Sequence, residues 1–194
     1  MKKLEPSEIL DVTAYEKIRD RYRAETIEMK RSRRLAVGDR LMFIFENRKT
    51  VRFQIQEMIR TERIVLEEAV AAEVAVYNAL IPGEGELSST LMIEIPDLSQ
   101  VRSELDRLVG IDEHVAMVVG GEAVPACFDD KQFEAGRIAA VQYLKFPLGA
   151  DLALRFRDPS VAVTVEVAHP NLRVVQVIEG ALRASLADDL AASG

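Results

Sequence analysis

Ser160-Val161-Ala162-Val163-Thr164-Val165-Glu166-Val167-Ala168-His169-Pro170-Asn171-Leu172-Arg173-Val174-Val175-Gln176-Val177-Ile178 is the stretch that decides the fold class. Valines at 161, 163, 165 and 167 alternate with Ala162, Thr164, Glu166 and Ala168, so one face of a strand is core and the other is mixed. His169-Pro170-Asn171 is a compact turn signal, and a second β-rich run, Leu172 to Ile178, follows at once. Connections this short join antiparallel neighbours. Moving towards the N-terminus, Asp158-Pro159 marks another break. Further strands are expected at about Leu152 to Arg157, Gly136 to Phe146, Ala123 to Phe128, His114 to Val119 and Leu87 to Ile95. A short helix at about Ser99 to Val109 interrupts them, and another, from about Glu179 to Ala191, follows the last strand.

Before Pro82-Gly83 the pattern changes period. Thr13 to about Leu35 reads as a helix, with Thr13 as its cap, Glu16 three residues later, and Tyr15, Ile18, Tyr22 and Met29 on one stripe. Leu41 to Phe45 is apolar throughout and reads as a short buried strand between Asp39 and Glu46-Asn47. One long helix is expected from about Thr50 to Leu80, stopped by Pro82, which cannot continue it. The predicted architecture is α+β in one domain over residues 1–194. Its mainly helical part is 1–82, including the long helix, and it packs on a mainly antiparallel sheet formed by 83–194, the mainly β part that carries the short C-terminal helix. No internal repeat or low-complexity tract interrupts it.

At 194 residues and 48% hydrophobic content the chain can bury a core without staples. A single cysteine, Cys127, fits a reducing compartment, and no run of about 18 uncharged apolar residues is present. A cytoplasmic location with no membrane insertion is the expectation. Net charge is −7, distributed as +2 over residues 1–80 and −9 over 81–194. That balance works against non-specific binding to nucleic acid or anionic lipid.

Several residues invite a chemical reading. Placed at 100° per residue on the long helix, Val51, Ile55, Ile59, Leu66, Ala69, Val76 and Leu80 form an apolar stripe, and Glu62 and Glu73 fall near its centre. A buried carboxylate needs an arginine, a metal or its own proton. The plainer account is a partly exposed stripe, or pairing with arginines of the first helix. Arg52, Gln56, Arg63 and Glu67 lie on one flank, with Arg60 close by. Such guanidinium groups can hold a carboxylate or phosphate in bidentate fashion, whereas solvated ion pairs are the ordinary outcome on a helix face. The cluster Lys30-Arg31-Ser32-Arg33-Arg34, with Tyr15 and Tyr22 upstream, suggests nucleic acid. Interleaved acids and the helix dipole explain it more simply. His114, His169 and Cys127 have no metal-ligand spacing, and a lone cysteine in a β segment is more often a small buried hydrophobe. Gly83-Glu84-Gly85 and Gly120-Gly121 lack phosphate-binding patterns and read as turns. No metal site and no cofactor is assigned.

Taken together, Ala14-Tyr15-Glu16-Lys17-Ile18-Arg19, Leu35-Ala36-Val37-Gly38, Phe45-Glu46-Asn47-Arg48 and Thr50-Val51-Arg52-Phe53-Gln54-Ile55-Gln56-Glu57-Met58 carry a resemblance, continued by Tyr77-Asn78, Leu80-Ile81-Pro82-Gly83 and Ile93-Glu94-Ile95-Pro96. Over nearly its whole length the chain resembles an uncharacterised bacterial family classed as a domain of unknown function. Its genes often stand beside those for rubrerythrin and an iron-sulfur oxidoreductase of the heterodisulfide-reductase type. The resemblance therefore implies a redox or peroxide-stress setting, and it transfers no catalytic residue.

Two functions are carried forward, and whether the protein is an enzyme stays open between them. One is a non-enzymatic accessory protein that docks onto an iron-sulfur oxidoreductase or rubrerythrin through Arg48, Arg52, Gln56, Glu57, Arg60 and Arg63. The other is an enzyme or small-ligand binder with a polar site between the long helix and the sheet, using Arg52, Gln56, Glu57 and Glu62. Nucleic-acid binding ranks third.

Overall fold

The computed structural model describes residues 1–129 and 136–192. Helix α1 (Val12–Arg31) leads into the hairpin β1 (Arg34–Val37) and β2 (Leu41–Glu46). Helices α2 (Arg48–Thr61) and α3 (Glu67–Tyr77) come next, then β3 (Glu86–Ile93) and α4 (Val101–Arg107). The remainder runs β4 (Val115–Val119), β5 (Glu122–Pro125), β6 (Cys127–Phe128), β7 (Val141–Pro147), α5 (Gly149–Arg157), β8 (Val163–His169), β9 (Leu172–Val177) and α6 (Gly180–Ala191). The fold class is α+β and every described strand pair is antiparallel.

The strands form two sheets, ordered β1-β2-β3-β7-β6 and β5-β4-β8-β9. Their inward faces share one core, to which Phe43, Phe45, Leu91 and Phe146 contribute from the first sheet and Met117, Val165 and Val167 from the second. Alternation explains the second sheet: Val163, Val165 and Val167 are buried while Thr164, Glu166 and Ala168 are not. The chain changes sheets at Ala126, whose N–H still bonds Val115 of the second sheet at 2.9 Å before β6 joins the first. Leu182, Leu186 and Leu190 of α6 close one side of this core. A smaller apolar cluster holds the helical layer together, with Val51, Ile55 and Ile59 of α2 against Val74, Ile81 and Leu4.

The expected long helix is two helices. α2 ends at a Schellman arrangement: Ile64 N–H reaches back to Ile59 O at 2.9 Å and Arg63 N–H to Arg60 O at 3.3 Å, with Arg63 in the left-handed region at φ 52°. Glycine is the usual occupant of that position, so the sequence carried no stop signal. Ile64 packs back on the cluster containing Ile59, and this contact holds the turn. The break resets the phase of the stripe. Leu66 and Val76, expected inside, are 71% and 68% exposed. Glu62 is exposed and Glu73 partly so; neither is a buried carboxylate.

Three further expectations are corrected. Leu152 to Arg157 belongs to α5 rather than to a strand. Leu152, Ala153 and Phe156 are buried at helical spacing while Leu154 is 64% exposed, although the string also fits a period of two. Asp11, not Thr13, caps α1 by accepting Ala14 N–H at 2.9 Å. That helix stops at Arg31, since Leu35 and Val37 alternate inward as part of β1. Within the loop Gly83-Glu84-Gly85, a Cβ on Gly85 would meet the backbone of Gly149 at 2.8 Å.

Candidate functional site: a cationic cleft beside the start of α2

The polar flank of α2 is assembled as expected, but most of it is engaged within the chain. Arg48 grips both carboxylate oxygens of Glu8 at 2.5 and 2.6 Å and donates to Lys2 O at 3.0 Å. Arg52 donates to Glu8 O at 2.8 Å. Gln56 is buried and bonds both backbone groups of Leu10, accepting its N–H at 2.8 Å and donating to its carbonyl at 3.1 Å. Glu57 accepts from the Tyr15 hydroxyl at 2.7 Å and from Arg19 Nε and Nη2, each at 2.9 Å. Arg60 reaches Glu16 at 3.5 Å. Arg63 stands apart at the exposed turn after α2. The row thus clamps the N-terminal segment and α1 onto α2. Arg19, Tyr15 and Arg60 hold the Glu57 carboxyl below the usual glutamate range against the effect of its partial burial. Burial and the neighbouring Glu57 push the Tyr15 phenol up.

Beside this clamp lies a cleft of about 940 Å³ between α1, the start of α2 and α6. Its walls carry five cationic side chains, Lys2, Arg33, Arg48, Lys49 and Arg52, against three carboxylates, Glu25, Asp188 and Asp189, with Tyr22, Met29 and Ala192 supplying apolar surface. In a chain of net charge −7 this is a positively biased hollow.

Its floor is a buried polar network. Arg33 is 1% exposed and donates to Phe45 O at 2.8 Å, Glu46 O at 3.2 Å, Ser185 Oγ at 2.8 Å and Asp189 at 2.5 Å. Asn47 Nδ2 adds a bond to Asp189 at 3.3 Å. Burial pushes the Asp189 carboxyl up, while Arg33 and Asn47 pull the other way. Asn47 also caps α2, its Oδ1 accepting from Lys49 N–H at 3.0 Å and Thr50 N–H at 3.1 Å. Glu46 beneath it is buried and accepts from the hydroxyls of Thr50 and, at 2.9 Å, Thr90. Among the described residues the buried carboxylates are therefore Glu46 and Asp189, in place of Glu62 and Glu73.

The sequence reading had passed over both partners of the floor. Arg33 was absorbed into a basic run whose neighbours Arg31 and Arg34 are exposed. Two signals were available. Carrying the inward alternation of Leu35 and Val37 back two residues lands on Arg33, and Asp189 falls on the same face of α6 as Leu182 and Leu186. A single charge set into each of two apolar patterns is the mark of an internal ion pair.

The histidines do meet, with ring centroids 5.3 Å apart and edge to face. His169 Nδ1 accepts from Asn171 N–H at 3.2 Å, which leaves Nε2 as the donor to Val109 O at 3.0 Å. Cys127 is exposed on β6, opposite Lys145 in register. Among the described residues no group of three histidine, cysteine, aspartate or glutamate side chains is placed to hold a metal ion. Among the same residues no helix is long and apolar enough to cross a membrane.

A family model described as "Protein of unknown function (DUF3501)" matches residues 3–190. The chain belongs to the DUF3501 family. It is similar to a solved structure of a protein of unknown function from Burkholderia pseudomallei, at 33% identity and a TM-score of 0.91, over 97% of this chain and 100% of that one. No curated protein matches it. Neither description names a ligand, so the chemistry of the cleft rests on its residues.

Proposed function

We propose that the protein is a non-catalytic accessory protein of a cytoplasmic redox system, and that it docks its partner through the cleft between α1, α2 and α6. The observation that carries this reading is the cation-rich wall of a hollow in an otherwise acidic chain. An excess of positive charge in a concave surface steers and orients an acidic partner. The gene neighbourhood implied by the sequence resemblance points to an iron-sulfur oxidoreductase or rubrerythrin as that partner. Of the flank first considered, Arg48 and Arg52 line the cleft. Gln56, Glu57 and Arg60 shape it indirectly by holding the N-terminal segment and α1 in place.

The test is affinity purification of the tagged protein from its own host under anaerobic conditions, with mass spectrometry and metal analysis of one eluate. Co-purification of a redox protein supports the reading, and its loss on charge reversal at Lys49 ties it to the cleft. A chain that emerges alone overturns it. A second reading, a small-ligand binder or enzyme, is favoured by the cleft volume, which lies within the range of small-molecule sites. A small molecule travelling with the lone chain would select that one.

A further inference from the structure

We infer that the cleft takes an extended, acidic peptide segment of its partner, with Lys49 and Arg52 as the residues that read its carboxylates; this rests on the docking role proposed above. The first argument concerns which donors are free. Arg33 is saturated by Phe45, Glu46, Ser185 and Asp189. Arg48 is engaged by Glu8 and the Lys2 carbonyl, and the Lys2 ammonium pairs with Glu5 at 3.0 Å. Lys49 is exposed and has no ion pair among the described residues, and Arg52 makes one hydrogen bond, through Nη2 to Glu8 O, with no carboxylate partner among the same residues. The cation capacity left for a ligand is therefore on these two side chains of one helix.

The second argument concerns ligand shape. A compact phosphate group would want the amides at the start of α2, but Lys49 N–H and Thr50 N–H are taken by Asn47 Oδ1, and Val51 N–H by Asn47 O. Glu25 and Asp188 on the opposite walls repel concentrated negative charge. An extended peptide distributes its charge differently. Its alternate side chains project on one side about 6.7 Å apart, close to the roughly 5–6 Å between i and i+3 positions on a helix such as Lys49 and Arg52. Intervening apolar side chains would meet Tyr22, Met29 and Ala192, where the flexible methionine can adapt to more than one shape.

The experiment is fluorescence anisotropy with a fluorescein-labelled peptide alternating glutamate and alanine, on the full chain. Wild-type protein is expected to bind it, more weakly as salt rises. Combining Lys49→Gln with Arg52→Gln should weaken binding by about tenfold, while Lys17→Glu, an equal charge change on an exposed α1 residue outside the cleft, leaves it within about twofold. Circular dichroism of each variant checks that it folds. No binding by the wild type, equal loss with Lys17→Glu, or displacement of the peptide by inorganic phosphate at constant ionic strength would each overturn the inference. Co-purification of a redox partner that survives the double substitution would also sink it and leave the accessory role standing. Peptide binding without any redox partner in the eluate would do the reverse.

Discussion

Arg63 and Arg33 are two arginines that sequence reading treated as surface charge, and the structure gives each a backbone or core task. At Arg63 an L-residue occupies a left-handed position that closes α2, a conformation costing about 1–2 kcal/mol. Arg63→Gly is expected to raise stability by about 0.5–1 kcal/mol. Urea denaturation should show a higher midpoint at unchanged slope, and a lower midpoint would mean the side chain holds the turn through contacts of its own. At Arg33 the opposite holds, because the guanidinium is almost wholly buried beneath the cleft floor. Asp189→Ala should cost about 3–5 kcal/mol by stranding that charge, whereas pairing Arg33→Met with Asp189→Leu should restore much of the loss. A double variant no better than the single one would show that the network is needed for reasons beyond charge pairing. Both roles were hard to read for one physical reason: a guanidinium is written the same way whether it is solvated, capping or buried, and only its place in the neighbouring apolar pattern tells these apart.

Among elements, Glu57 ties α2 to Tyr15 and Arg19 of α1, and this makes their docking pH-dependent with a definite sign. Glu57 is depressed below the ordinary glutamate value, so its contribution is present above about pH 4.3 and is lost as pH falls through the lower folded value. Tyr15 is raised above its ordinary value, so its contribution is present below about pH 10 and is lost as pH climbs through the folded value. Thermal melts of the wild type across pH should therefore fall off at both ends, and Glu57→Gln should flatten the acid limb. An unchanged acid limb would place the sensitivity elsewhere. Elements with a clean period were legible: β8 and β9 from alternating valines, α6 from its leucines, β2 from its apolar run. The split of α2 from α3 was not, because an arginine stands where the stop signal is normally glycine. α5 was misread because Leu152, Leu154 and Phe156 satisfy a period of two as well as a helix does.

For the whole molecule, the α+β class and the mainly antiparallel pairing were legible from the change of period and the turn residues, whereas the strand order and the partition of strands between two sheets were not. That partition depends on one crossing at Ala126, where nothing in the local composition distinguishes a hairpin from a change of sheet. The cleft was invisible for a similar reason, since its walls come from positions far apart in sequence and, of the six residues expected to dock a partner, Arg48 and Arg52 alone line it. The shared core has a measurable consequence. Phe45→Ala should cost about 3–5 kcal/mol, and native-state hydrogen exchange should show the amides of β3 and β4 losing that protection together. Earlier exchange in β4 alone would divide the sheets into separate cooperative units.

The tie between Arg33 and Asp189 spans 156 positions of the chain, and during synthesis that separation becomes a waiting time. Arg33 is made early and the residue that neutralises it 156 positions later, so a ribosome-bound chain halted before α6 has an unanswered positive charge at the floor of its cleft. Such chains are expected to stay open to protease until Asp189 emerges, which limited proteolysis of stalled nascent chains would reveal as an abrupt gain of resistance. The ion pair then acts as a check on α6: a product that stops short of that helix cannot settle the charge of Arg33.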